Sequence, residues 1–123
     1  MDTKRINIQA LALLGDAVFS LYIREKLINI GMNDPDLIQK KQVDYVSAKG
    51  QCKILNYLTE NNILTEEELD IVKRGRNNKR NSHPKNTDII TYKLSTGFEA
   101  LLGDLYINNK DRLYEILNKI EVK

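Results

Sequence analysis

The sequence predicts an all-α fold in a single domain spanning residues 1–123, and three observations carry that prediction. No apolar/polar alternation is sustained between turn clusters, as half-buried strands would require. Apolar residues recur instead at helical spacing along most of the chain. Only two prolines and six glycines interrupt it.

About six helices follow from the pattern. Ile6 to about Ile28 reads as one long helix, apolar on nearly every side and therefore mostly buried. In Asn33-Asp34-Pro35, Asp34 is placed to cap a second helix with Pro35 at its first position, where the missing N–H costs nothing. That helix continues to about Tyr45. Val46-Ser47-Ala48 marks a break, and a third helix presents Ile54, Leu55 and Leu58 on one face. Thr65-Glu66-Glu67-Glu68 is a capping box that opens a short fourth helix through Leu69 and Val72. Between Lys73 and Asn86 the periodicity stops, which predicts the one substantial loop. A fifth helix begins at Thr87 or Asp88 and ends at Tyr106 or Ile107. From about Lys110, Leu113, Ile116, Leu117 and Ile120 form the apolar face of the last helix.

With 123 residues and 14.2 kDa, the chain has room for one core. Its 41% hydrophobic and 29% charged residues belong to an ordinary folded domain. The lone cysteine, Cys52, cannot form an internal disulfide and fits a reducing, cytoplasmic setting, and one His with one Cys is too few for a zinc site of the usual kind. The most apolar stretch, Ala10 to Ile23, contains Gly15, Asp16 and Ser20 and falls short of the roughly 18 to 20 apolar residues of a membrane span. No membrane partner is expected.

Two carboxylates stand out because they interrupt apolar helices. Asp16 lies in Ala10-Leu11-Ala12-Leu13-Leu14-Gly15-Asp16-Ala17-Val18-Phe19, and Glu99 lies in Gly97-Phe98-Glu99-Ala100-Leu101-Leu102-Gly103. An ionised carboxylate removed from water must be paired, hydrogen-bonded or bound to a metal. Two bland readings stand beside that one: Gly15 breaks the helix so that Asp16 caps the next, and Glu99 lies on a solvated face. Asp104 repeats the Gly-Asp pair of Asp16 and is expected to be exposed near a helix end. Together Asp16 and Glu99 offer what Mg²⁺ prefers, one or two carboxylates completed by water and substrate phosphate. The neighbouring glycines would let two helix backbones approach closely.

The net charge of +2, from 19 basic and 17 acidic residues, conceals a cluster. Lys73, Arg74, Arg76, Lys79, Arg80 and Lys85 fall within one acid-free segment, interleaved with Gly75, Asn77, Asn78, Asn81, Ser82 and the only histidine, His83. Without those six, 13 basic residues face 17 acidic ones, a net of −4. Such a segment suits phosphate oxygens. Its lack of aromatic residues argues against base stacking and for a duplex read by shape and backbone. A solvated loop without a partner is the bland alternative.

Leu13-Leu14-Gly15-Asp16-Ala17-Val18-Phe19 resembles the signature motif of the ribonuclease III catalytic domain, and Gly97-Phe98-Glu99-Ala100-Leu101-Leu102-Gly103 resembles its second acidic motif. The chain, with Tyr45-Val46-Ser47-Ala48-Lys49 and Arg74-Gly75-Arg76-Asn77, is similar over nearly its whole length to the compact members that consist of this domain alone. Only 24 residues follow Glu99, too few for an appended RNA-binding domain. The resemblance implies an all-helical homodimer that uses Mg²⁺, with Mn²⁺ as a substitute, to cleave double-stranded RNA, in particular precursor large-subunit (23S) ribosomal RNA, leaving 5′-phosphate and 3′-hydroxyl ends. It assigns Asp16 and Glu99 as catalytic and metal-site residues. Where larger members carry further acids this sequence has Gln9, Ala12 and Thr96. That departure leaves open a catalytically silent RNA-binding module of the same fold.

Overall fold

The computed structural model describes residues 2–78 and 88–123, and among these every regular element is helical. A 3₁₀ turn, Thr3–Arg5, precedes six helices: α1 (Ile8–Asn29), α2 (Pro35–Val46), α3 (Ala48–Glu60), α4 (Glu66–Arg76), α5 (Ile89–Asn108) and α6 (Lys110–Leu117). Each α-helix starts at a side-chain cap, those of α2 and α4 as expected. Asp34 Oδ1 accepts from the Asp36 amide at 2.9 Å, and Ser47 Oγ from the Gly50 amide at 3.0 Å. Thr65 and Glu68 close the capping box reciprocally at 3.1 and 2.9 Å. Asp88 caps α5 through the Thr91 amide. Such caps each contribute about 1 kcal/mol by satisfying amides the helix cannot pair itself.

Helix α5 is the hub. Its sequence is apolar around most of its circumference because α1, α3, α4 and α6 all pack against it. Phe98, Leu101 and Leu102 are fully buried among Phe19, Ile23 and Leu27 of α1, Leu55 and Leu58 of α3, and Leu113, Ile116 and Leu117 of α6. Phe19 and Phe98 meet edge to face with centroids 5.4 Å apart, the arrangement ring quadrupoles favour. At the far end of α4, Glu68 accepts Arg112 Nε and Nη2 at 2.8 Å each, while Nη2 also donates to the Ile63 carbonyl. This buried fork joins α4 to α6, and removing one partner would cost about 3–5 kcal/mol.

Glycines set the tightest spacings. A Cβ at Gly15 would lie 1.7 Å from the Glu99 carbonyl oxygen, and one at Gly103 would lie 2.0 Å from that of Leu11. Gly75 and Gly97 do the same for α4 against α5. The expected close approach of backbones beside both acids is therefore present.

The single long first helix is borne out: α1 runs unbroken past Gly15 and Asp16, so the bland reading of Asp16 as a cap falls. Three expectations need correction. Helix α1 is not mostly buried: Leu13, Leu21 and Ile28 are 75%, 68% and 58% exposed, apolar side chains left uncovered among the described residues of one chain. Asp104 is buried, because α5 continues past it to Asn108, whose amide donates to it at 3.4 Å. Finally, the expected loop begins later: Lys73, Arg74 and Arg76 form the last turn of α4, where cations complement the helix's negative end. Lys79, Arg80, Lys85 and His83 lie outside the described residues.

Candidate metal centre and its basic flank

Where α1, α4 and α5 converge, the glycine contacts leave a pocket of about 410 Å³. Asp16 and Glu99 both line it. Glu99 is partly buried on the inner wall and Asp16 is exposed at the mouth, one from each of the two helices that Gly15 and Gly103 bring together. The two carboxyls are close enough to interact electrostatically across the pocket. Burial is the main reason that the Glu99 carboxyl is pushed up to about 8, reinforced by the Asp16 charge and by a hydrogen bond with it, and only partly offset by a donor from Gln51. Without a cation, burial thus favours the protonated form of the Glu99 carboxyl at neutral pH.

Gln9, Ala12 and Thr96, where the resemblance led one to look for further acids, line the same pocket. No group of three or more His, Cys, Asp or Glu forms among the described residues. The donor set is then two carboxylates supplemented by neutral oxygens such as the Thr96 hydroxyl, which itself donates to the Tyr92 carbonyl at 3.0 Å. All-oxygen donors, few in number, with room for water and a phosphate, fit a hard divalent cation such as Mg²⁺.

Asn78 of the acid-free segment also lines the pocket, as do Lys93 and Tyr92, for which no signal stood in the sequence, since a Lys or Tyr near a helix start reads as surface. Gln51 was equally silent. It lies on α3, is 1% exposed, and donates Nε2 to Glu99 Oε2 at 3.1 Å. Asn78 is shared with a second, open groove lined by Asn7, Asp70, Lys73, Arg74 and Asn77. Lys73 and Arg74 therefore flank the carboxylate pocket, and Arg76 is exposed on the same turn.

An all-helical fold thus sets two acids on one pocket, next to a groove bearing Lys and Arg, a donor set suited to a hard cation and to phosphate oxygens. The chain is a member of the ribonuclease III family: the model of the ribonuclease III domain matches residues 9–110. It is 46% identical to Mini-ribonuclease 3 of Brevibacillus brevis over 96% of this chain and 87% of the relative. With Mini-ribonuclease 3 of Streptococcus pneumoniae the identity is 44% over 96% and 93%. A crystal structure of a Fusobacterium nucleatum protein superposes with a TM-score of 0.83 at 31% identity, covering 97% of this chain and 96% of that one. Among the described residues no helix is long and apolar enough to cross a membrane.

Proposed function

We propose that this protein is an Mg²⁺-dependent endoribonuclease that hydrolyses phosphodiester bonds in double-stranded RNA, with precursor 23S ribosomal RNA as its cellular substrate and the cytoplasm as its place of work. The observation that carries this reading is the meeting of Asp16 and Glu99 on the wall of one pocket, beside a groove lined by Lys73 and Arg74.

Asp16 and Glu99 would hold the ion. A bound Mg²⁺ supplies acidification of a water for in-line attack and neutralises charge on the phosphate and the leaving oxygen. Glu99 must give up its proton for this, so a cation and that proton compete for the same oxygens. Lys93, on the pocket wall, is placed to meet a phosphate oxygen. Lys73, Arg74 and Arg76 grip the duplex backbone, a task shared with Lys79, Arg80 and Lys85 of the following segment, and impose a strong dependence on salt. The products carry 5′-phosphate and 3′-hydroxyl ends. Two chains work as a pair, meeting through the exposed apolar face of α1, which continues into a groove lined by Leu14, Val18, Leu21, Tyr106 and Tyr114.

A second reading, a silent duplex-binding module, is favoured by one observation: Gln9, Ala12 and Thr96 leave the pocket with two acids. Incubation of the full chain with a long RNA duplex decides between them. The nuclease cuts in Mg²⁺, stops in EDTA and yields ends that ligate without prior phosphorylation; the silent module retains the duplex uncut in Mg²⁺ and Mn²⁺ alike. Neutralising Lys73, Arg74 and Arg76 together should weaken duplex binding and lower its salt slope by about 2–3. An unchanged slope would remove α4 from the RNA contact.

A further inference from the structure

Gln51 is buried to 1% exposure, yet its carboxamide is spent on neither solvent nor its own helix. Nε2 donates to the Val46 carbonyl at 3.0 Å and to Glu99 Oε2 at 3.1 Å. The Val46 carbonyl can only accept, so it fixes which end of the amide faces inward, whatever the state of Glu99. The cost is visible on the other side: Gln51 Oε1 is buried with no hydrogen-bond partner among the described residues. An apolar side chain of the same size would fill the space without that orphan. A residue needed only for packing does not account for the arrangement, whereas a donor needed at Glu99 does.

From this geometry we propose that Gln51 is a positioning residue: by anchoring Oε2 of Glu99 to the junction of α2 and α3, it turns the carboxylate so that its remaining lone pairs face Asp16 and the pocket. The inference rests on the reading of Asp16 and Glu99 as the metal ligands. Ser47 supports the anchor, because its cap on the Gly50 amide starts α3 one turn before Gln51. An outer partner of this kind sets ligand orientation, and its loss weakens metal binding about 10- to 100-fold.

The test is a titration of Mn²⁺ into the full chain, with free Mn²⁺ followed by electron paramagnetic resonance, for the wild-type protein and Gln51→Met, a variant of like size and no donor. Thermal unfolding in EDTA runs in parallel. Expected is a folded Gln51→Met protein whose Mn²⁺ affinity falls 10- to 100-fold, with a matching rise in the Mg²⁺ concentration needed for half-maximal duplex cleavage. A purely structural role would move the unfolding midpoint in EDTA and leave Mn²⁺ affinity alone, and that result overturns the inference. Should Gln51→Met not fold, Gln51→Asn carries the same expectation. It keeps an amide but is one methylene too short to span Val46 and Glu99, and wild-type Mn²⁺ affinity in it is equally fatal. A wild-type protein that binds no Mn²⁺ brings down the metal-site reading itself. Binding by wild type and Gln51→Met alike brings down only the role of Gln51.

Discussion

Glu99 concentrates the electrostatics of the site in one side chain. Its folded carboxyl is raised to about 8, above the ordinary 4.5, chiefly by burial and then by Asp16. For an acid shifted this way, the contribution to stability is fully present below the ordinary carboxylate value and is lost as the pH rises through about 8. Glu99→Gln cannot ionise. In EDTA it should therefore be more stable than wild type at pH 9, on the order of 2 kcal/mol or more, with the advantage shrinking towards nothing at pH 4. Urea unfolding at the two pH values measures this, and an equal difference at both would show that Glu99 is not raised. Both acids were legible in the sequence because each interrupts an apolar run, where an unpaired carboxylate is expensive. Gln51 and Lys93 were not, because an amide or a lysine on a helix resembles any solvent-facing residue until a distant element is folded against it.

The helices α1 and α5 build the site by crossing closely enough for two side chains from different elements to meet. Gly15 sits at that crossing. Alanine would favour the helix in isolation by about 1 kcal/mol, but its Cβ would fall 1.7 Å from the Glu99 carbonyl oxygen and 2.9 Å from the Gly103 amide nitrogen. These are backbone atoms, so the helices must part. Gly15→Ala should lose about 3 kcal/mol or more in chemical denaturation and bind Mn²⁺ more weakly, because the separation moves Glu99 away from Asp16. Wild-type stability in this variant would mean that the crossing is looser than described. Most elements were legible from their punctuation: Asp34-Pro35 and the Thr65–Glu68 box cap helices as read, and Ser47 and Asp88 turn out to cap helices at the break and the start read there. The misjudged stretches have physical reasons. Lys73, Arg74 and Arg76 break the apolar period, yet remain helical because Val72 and Gly75 on the same helix are held against α5. Asp104 is polar, yet buried, because Asn108 satisfies it from one turn away.

At the scale of the whole molecule, the net charge of +2 separates into a cationic segment and an acidic remainder. Folding places the start of that segment, the last turn of α4, alongside the carboxylate pocket. The hydropathy of α1 told of burial but not by what, since periodicity cannot distinguish a core helix from one covered by a second chain. Leu13, Leu21 and Ile28 are exposed in one chain, which fits the proposed pairing through this helix. Light scattering should accordingly give twice the 14.2 kDa chain mass, and Leu21→Glu should shift it to a single chain; a wild-type monomer at micromolar concentration would contradict the pairing. The central claim is that Asp16 and Glu99 together hold the ion that cleaves duplex RNA. It is tested most directly by cleavage of a long RNA duplex in Mg²⁺ by wild type, Asp16→Asn and Glu99→Gln, with duplex binding measured in Ca²⁺ on the same preparations. Both variants should bind the duplex and lose cleavage by more than about a hundredfold, beyond what losing even an outer partner costs; cleavage at the wild-type rate by either variant would contradict it.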